Sequence, residues 1–379
     1  VLKRVEVLEI YSVRAIACLM VVALHSIEAV LNIRASTEGG LGYDIALLLK
    51  TGTPIFVMIS AFVLAVSYSS SGAPRGLLRK RLEVLLPPFV VFGFFYTFLD
   101  WYIYELNLVE ASWELAKNLF FADFHGYFIL IVIQFVALFP MYRRLANRYS
   151  AVALLAASAL ISVVWVSFFN FGPMPSDEEN MRLYVRSSWI PFPGWLLYFA
   201  VAYHLGAAVR STQDMARKYT VLVATTALIV GAALVGAYEL GLNDVHSSKR
   251  PEMLLLVPLV FVIVFGLAGR AKTVPTLVAW LSKYSFGIYL MHFFWIAVAE
   301  KTLRPVAEHL PAWIFAMILF LVGVSFSAVS VQIIQRLPFG KYIVGPVGRS
   351  PRRMTDEGAP SEKDYRRARL GDIRVSDSP

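Results

Sequence analysis

Two residues in the first apolar stretch carry groups that rarely sit among hydrocarbon side chains without a task. Arg14 and His25 lie eleven residues apart in VEVLEIYSVRAIACLMVVALHSIEAV, about three helical turns, so a helix puts both on one face. The same spacing holds them about 16 Å apart along the axis, too far to touch. They therefore serve different parts of one elongated ligand, or two ligands. A guanidinium grips phosphate oxygens through its planar fork, and a neutral imidazole accepts a proton near neutrality. A plainer alternative has Arg14 snorkelling to headgroups and His25 bonded to a neighbouring helix. Lys50, just before a Gly-Thr-Pro break in LLLKTGTPIFVMISAF, reads either as a charge at a helix interrupted around a water-filled site or as a snorkelling lysine. Arg79, Lys80 and Arg81 in RGLLRKRLEVLLPPF suit a phosphate-bearing ligand, although basic cytoplasmic loops alone account for them. His125 in ADFHGYF and His292 in SFGIYLMHFF have no second histidine or carboxylate at metal-ligand spacing, so no metal site is expected. His204 reads as a packing residue; His246 and His309 fall in outer loops and carry no signal. The sequence contains no nucleotide loop, nucleophile elbow or dinucleotide fingerprint.

The elements that must position these residues are membrane spans. Of the 379 residues 58% are hydrophobic and only 16% charged, with a mean hydropathy of +0.63. A soluble domain is nearer a quarter charged, so a soluble globular fold is excluded and an all-α, polytopic integral membrane protein is expected. About ten runs can cross a bilayer, near 9–33, 44–67, 85–105, 119–141, 150–170, 193–210, 219–240, 252–270, 277–299 and 311–335. The first is too long for a signal-peptide core and reads as a retained span. The connections alternate between basic segments and mixed or acidic ones, which by the positive-inside rule puts both termini and the basic set in the cytoplasm. The same rule accounts for the net charge of +9 and the pI near 9.5, so no nucleic-acid partner is expected. Cys18, the single cysteine, reads as a small packing residue. The spans form one domain, 1–337. Residues 338–379 hold seven arginines among Gly, Pro, Ser and Asp and read as a basic, disordered cytoplasmic tail touching anionic lipid. No internal repeat is visible, which weakens a transporter built from inverted halves.

Taken together these segments resemble the membrane acyltransferase 3 family, in the branch that includes the intercellular-adhesin polysaccharide modifiers. Arg14 to His25 is similar to the family's opening signature, an Arg followed eleven positions on by a His. Lys50, Pro54, Phe56, Met58 and Ser60 resemble its basic-x-x-x-Pro-x-Phe-x-x-Ser-Gly-Phe block. Arg81 with Pro87 resembles the Arg and Pro opening the third span, and His125 stands before Tyr127 and Phe128 as the family's His-Leu-Trp-Phe does. Ser285, Gly287, Ile288, Tyr289 and His292 resemble the late Ser-x-Gly-Ile-Tyr-Leu-x-His element. The likeness covers residues 9–335 and departs at three places. Val84 stands at the second position of the family's Arg-x-x-Arg, so either Arg79 or Lys80 compensates or the donor is held differently. Ser60-Ala61 stands for Ser-Gly. No esterase-like domain follows the last span, so a second transfer step would need a separate envelope-biosynthesis partner.

The resemblance implies a multi-pass enzyme of a bacterial inner or plasma membrane that moves a short acyl group, acetyl above all, from cytoplasmic acyl-CoA to a hydroxyl of an extracytoplasmic glycan or related acceptor. Acyl-CoA (acetyl-CoA) is then a co-substrate, with no bound cofactor. Arg14, with Arg79, Lys80 and Arg81, would hold the donor, and His25 would act as base or covalent carrier. Lys50, Ser60, His125, Tyr289 and His292 are the candidates for the acceptor or the oxyanion. A transporter or flippase exporting a glycan or lipid-linked sugar explains polar groups in the spans equally well, but not the Arg–His pair beside the basic mouth of the third span.

Overall fold

The computed structural model describes residues 7–34, 40–307 and 309–348. Among these the regular elements are helical. The chain runs through α1 Glu9–Ile33, α2 Leu41–Leu49, α3 Gly52–Tyr68, α4 Leu77–Ile103, α5 Leu108–Phe120, α6 Tyr127–Arg148, α7 Ala151–Phe171 and α8 Glu178–Trp189. A short 3₁₀ turn, Phe192–Trp195, then leads to α9 Leu196–Ala207, α10 Val209–Lys218, α11 Thr220–Glu239, α12 Met253–Ala268, α13 Thr276–Ala307, α14 Ala312–Gln335 and α15 Gly340–Ile343. Helices are the expected solution where no water is present to satisfy open backbone.

Seven units are long and apolar enough to span a bilayer: α1, α2 with α3, α4, α6, α7, α11 and α14. The pair formed by Phe192–Ala207 and α10, bent by 101°, makes an eighth if counted as one span. The chain is thus a multi-pass membrane protein, and the expected ten is not reached by this measure. The two elements at issue are α12, only 16 residues long, and α13, which has 32 residues but carries Lys283, Ser285, Tyr289 and His292 in its apolar run. The fourth expected span starts later than its hydropathy indicates, at Tyr127 rather than 119. Residues 108–120 form the separate amphipathic α5, started by a capping box in which Asn107 accepts from Glu110 N and Glu110 accepts from Asn107 N.

Lys50 and Thr51 break the second span between α2 and α3, where the sequence expects an interruption. Gly52 permits the bend to lie on α1. A Cβ there would stand 3.0 Å from the Val21 side chain and 3.2 Å from Ala17 O, a close approach that only glycine allows without adjustment. That contact sets α3 beside α1 and carries Lys50 to Glu28 in the C-terminal turns of α1.

The central pair is α1 and α13, which run parallel and in register. The Cys18 thiol donates to Ser285 O at 3.8 Å, and the His25 and His292 rings lie 5.3 Å apart. Both matches are offset by the same seven residues on each helix. Parallel packing aligns two helical faces turn by turn, so Arg14 and His25 on α1 face the stretch from Ser282 to His292 on α13.

The expected tail begins as folded structure. α15 follows α14 closely, Gln335 donates to Gly345 O, and Gly348 N donates to Lys283 O at 2.9 Å. The apolar residues among 338–348 give this segment something to bury; the rest of the expected tail, 349–379, lies outside the described residues.

Candidate active site

A cavity of about 270 Å³ opens between α1, α3, α4, α6 and α13. Its polar lining is Arg14, Ser60, Arg81, Ser282, Lys283, Ser285 and Tyr289, with Pro346 and Gly348 beside Lys283, and it contains no Asp or Glu. Among the described residues neither guanidinium has an ion pair or a hydrogen bond; Tyr11 is within electrostatic reach of Arg14. Lys283 lies over the Tyr284 ring at 5.2 Å. Cations withdrawn from water without counter-charges are costly unless a ligand completes them, so the cavity is built for an anion. The rest of the wall, including Phe56, Val63, Leu85, Phe128 and Val132, is apolar and suits a hydrocarbon-like arm between charged ends.

The structure takes only Arg81 from the basic run. Arg79 is exposed and pairs with Glu83 at 3.0 Å, and Lys80 is exposed; neither replaces the family's second arginine. Helical periodicity is the reason. Arg81, Val84 and Leu85 share one face and line the cavity, whereas positions 79 and 80 point away from it. The third cation comes instead from Lys283 on α13, which sequence reasoning missed because nothing local links it to Arg14.

Beyond Tyr289 lies a second cluster. His292 lies between His25 and His125, with ring centroids 5.3 Å apart for His25–His292 and 5.4 Å for His125–His292, and Phe293 packs against His25 at 4.3 Å. Tyr289 joins the two regions: it lines the cavity, lies 5.6 Å from His125 and 5.9 Å from His292, and donates its hydroxyl to His125 O. His25 itself is not in the cavity lining. Arg14 and His25 therefore face one continuous helix pair, with Tyr289 between their two environments.

Hydrogen-bond partners fix which ring nitrogens carry protons. His25 Nδ1 lies 2.8 Å from Glu28 Oε2, and Glu28 Oε1 receives Lys50 Nζ at 2.6 Å. A carboxylate only accepts, so Nδ1 of His25 carries a proton, and in the neutral imidazole Nε2 is the free lone pair. The arrangement is a Lys–Glu–His chain in which the carboxylate orients the imidazole and stabilises its protonated form. Glu28 was absent from the expected site, although its position three residues after His25 is the signal that places it on the same helical face.

The same accounting describes the oxyanion candidates as they stand without a ligand. Ser60 donates to Phe56 O at 3.0 Å, His125 Nε2 to Leu290 O at 3.1 Å and His292 Nδ1 to Tyr289 O at 2.7 Å. With the Tyr289 hydroxyl also committed, none of these four has a spare proton to stabilise a developing negative charge. Lys50, with three N–H donors, is the one candidate of the five that does.

The connections at this end of the bundle hold the cluster. Ala122 adopts a left-handed conformation (φ 47°) that costs a non-glycine residue about 1–2 kcal/mol. Arg186 stabilises this turn by pairing with Asp123 and donating to Ala122 O, which sets the backbone that carries His125. His246, expected to carry no signal, packs between Tyr43 and Tyr238 and donates to Tyr43 O at 3.0 Å. Burial holds its imidazole below the ordinary histidine range, against the Tyr43 carbonyl, and Lys50 is near enough to add to the lowering. Among the described residues no group of His, Cys, Asp and Glu could hold a metal ion.

Residues 8–331 match a family profile described as an acyltransferase domain, that of acyltransferase family 3. The chain belongs to this family. It is 30% identical to a Bacillus subtilis protein named as a membrane-bound acyltransferase, YfiQ, over 90% of this chain and 95% of that one. Proteins of Staphylococcus aureus and Staphylococcus epidermidis named as poly-beta-1,6-N-acetyl-D-glucosamine export proteins are 23% identical over 75% of this chain and 80–81% of theirs. No solved structure matches.

Proposed function

We propose that this acyltransferase moves a short acyl group, acetyl above all, from acyl-CoA entering on the cytoplasmic side to a hydroxyl of a glycan presented outside. The observation that carries this reading is the pair of guanidiniums, Arg14 and Arg81, unpartnered among the described residues and lining an apolar cavity that ends one turn before the histidine cluster. Arg14, Arg81 and Lys283 hold the donor's phosphates, and the pantetheine arm follows the α1–α13 seam. That arm bridges the offset of about 16 Å between Arg14 and His25.

At the far end His25 Nε2 takes the proton of the acceptor hydroxyl as it attacks the acyl carbonyl. Glu28 holds the imidazole and stabilises its charge, and Lys50 supplies the N–H for the oxyanion. Positioned general-base catalysis contributes about 10²–10⁴-fold. The amino-sugar polymer in the staphylococcal relatives' names supports a polysaccharide acceptor, and the basic connections support cytoplasmic termini.

Those same names favour a second reading, export of the polymer. A cavity of about 270 Å³ with Tyr289 in its wall lies just under the usual size of a small-molecule pocket, which supports transfer over passage of a polymer chain. The two readings separate in a strain lacking the gene. Polymer that reaches the surface without its acyl groups supports transfer, and polymer retained inside supports export. His25→Ala should reproduce the deletion's unacylated glycan while the protein stays folded in the membrane; mass spectrometry showing normal acyl content would remove His25 from the reaction.

A further inference from the structure

His292 is fully buried, and its Nε2 has no hydrogen-bond partner among the described residues. Its Nδ1 lies 2.7 Å from Tyr289 O and 3.2 Å from Ile288 O. Carbonyls only accept, so the proton sits on Nδ1 and the orphaned Nε2 is a bare lone pair. A buried acceptor left unpaired costs free energy that a packing histidine would avoid. The residue also continues a functional stripe. Ser282, Ser285 and Tyr289 line the cavity, and His292 is the next position on that face at helical spacing, one turn past the cavity's end. Its ring stands 5.3 Å from that of His25.

Resting on the acyl-CoA reading above, we propose that His292 is the nucleophile that first receives the acyl group, and that His25 serves only the second transfer. With Tyr289 turned aside, Nε2 attacks the thioester carbonyl carbon. The C–N bond forms, the C–S bond breaks and the CoA sulfur leaves as a thiolate. The acyl-imidazolium keeps its Nδ1 proton on the Tyr289 and Ile288 carbonyls, which preserves its reactivity. In the second step the acceptor hydroxyl gives its proton to His25 Nε2 and its oxygen attacks the acyl carbon. The C–N bond then breaks, His292 regains its lone pair, and the proton on His25 passes to the thiolate. The sum is thioester plus alcohol giving ester plus thiol. Two imidazoles with opposite surroundings thus have separate jobs: His25, held by a carboxylate, is a base, and His292, held by carbonyls and offering an unshared pair, is a carrier.

The purified protein is mixed with radiolabelled acetyl-CoA and no acceptor, and free thiol and protein-bound label are followed by rapid quench. The wild type is expected to release one thiol per protein molecule in a burst and to retain label on the α13 peptide that contains His292. His25→Ala should keep that burst, and His292→Gln should lose it while still binding acetyl-CoA. A burst that persists in His292→Gln, or label that maps to α1, overturns the proposal. Mapping in the wild type decides the matter even if the variant fails to fold. A wild type that acylates its glycan in cells but shows neither burst nor label overturns the carrier role alone. A wild type that neither binds acetyl-CoA nor alters glycan acylation removes the donor reading as well.

Discussion

Two regions bury cations, and they do so in opposite ways. In the connection between α11 and α12, Arg250 is wholly buried, yet its guanidinium pairs with Glu252 at 2.9 Å and donates to Asn243 O at 2.9 Å. Nearby, Lys249 donates to Gly194 O and lies 3.0 Å from the centre of the Trp195 ring. In the cavity, Arg14 and Arg81 have no such partners among the described residues. The difference separates structure from function. A buried cation whose donors are all used is a strut, whereas one whose donors point into an apolar cavity is incomplete without a ligand. Lys50 stands between the two cases, since it is paired with Glu28 but retains spare donors beside His25.

The contrast is sharpest where a strut is removed. Arg250→Met leaves the Asn243 carbonyl and the Glu252 carboxylate without their partner and should cost about 3 kcal/mol or more, read as a large drop in thermal midpoint of the solubilised protein; an unchanged midpoint would make Arg250 no strut. Glu28→Gln keeps the shape but removes the charge that orients His25. It should lower acyl transfer by about 10²-fold or more with little change in stability; loss of folding instead would put Glu28 with Arg250. The smallest effect is expected at Lys249, whose ammonium burial holds well below the ordinary lysine range. Because the folded value lies below the unfolded one, the charged form opposes folding at neutral pH. Stability should therefore rise as pH climbs from the depressed value toward about 10.4. Lys249→Met should abolish that rise and gain about 1 kcal/mol at neutral pH; a midpoint that falls instead would show the ring contact outweighing burial.

Much of the cavity half was legible in the sequence, because its key spacings are local. Arg14 and His25 share a face of one helix, the Lys50 break is marked by Gly-Thr-Pro, and the Tyr289–His292 stripe lies within one span. Glu28 was equally local, three residues from His25, and periodicity alone would have found it and set Arg79 and Lys80 aside. Lys283 was not legible, because its place beside Arg14 depends on the parallel pairing of helices some 270 positions apart in sequence. The buried cations of the connection between α11 and α12 were hidden for a similar reason. Arg250 and Lys249 sit in a connection whose composition reads as a solvated loop, and only the tertiary fold draws it inward. The span expected at 277–299 lies within α13, although the groups that make it the site helix lower its apolar character. The amphipathic α5 merged into the fourth span through its neighbouring Phe120 and Phe121.

The most direct measurement is the affinity of the purified protein for acetyl-CoA, taken together with its thermal midpoint, for Arg14→Gln and Arg81→Gln. If the cavity cations await the donor's phosphates, each substitution should weaken binding by about tenfold or more and leave the midpoint unchanged or higher. Unchanged affinity with a lowered midpoint would make them struts like Arg250 and contradict the account.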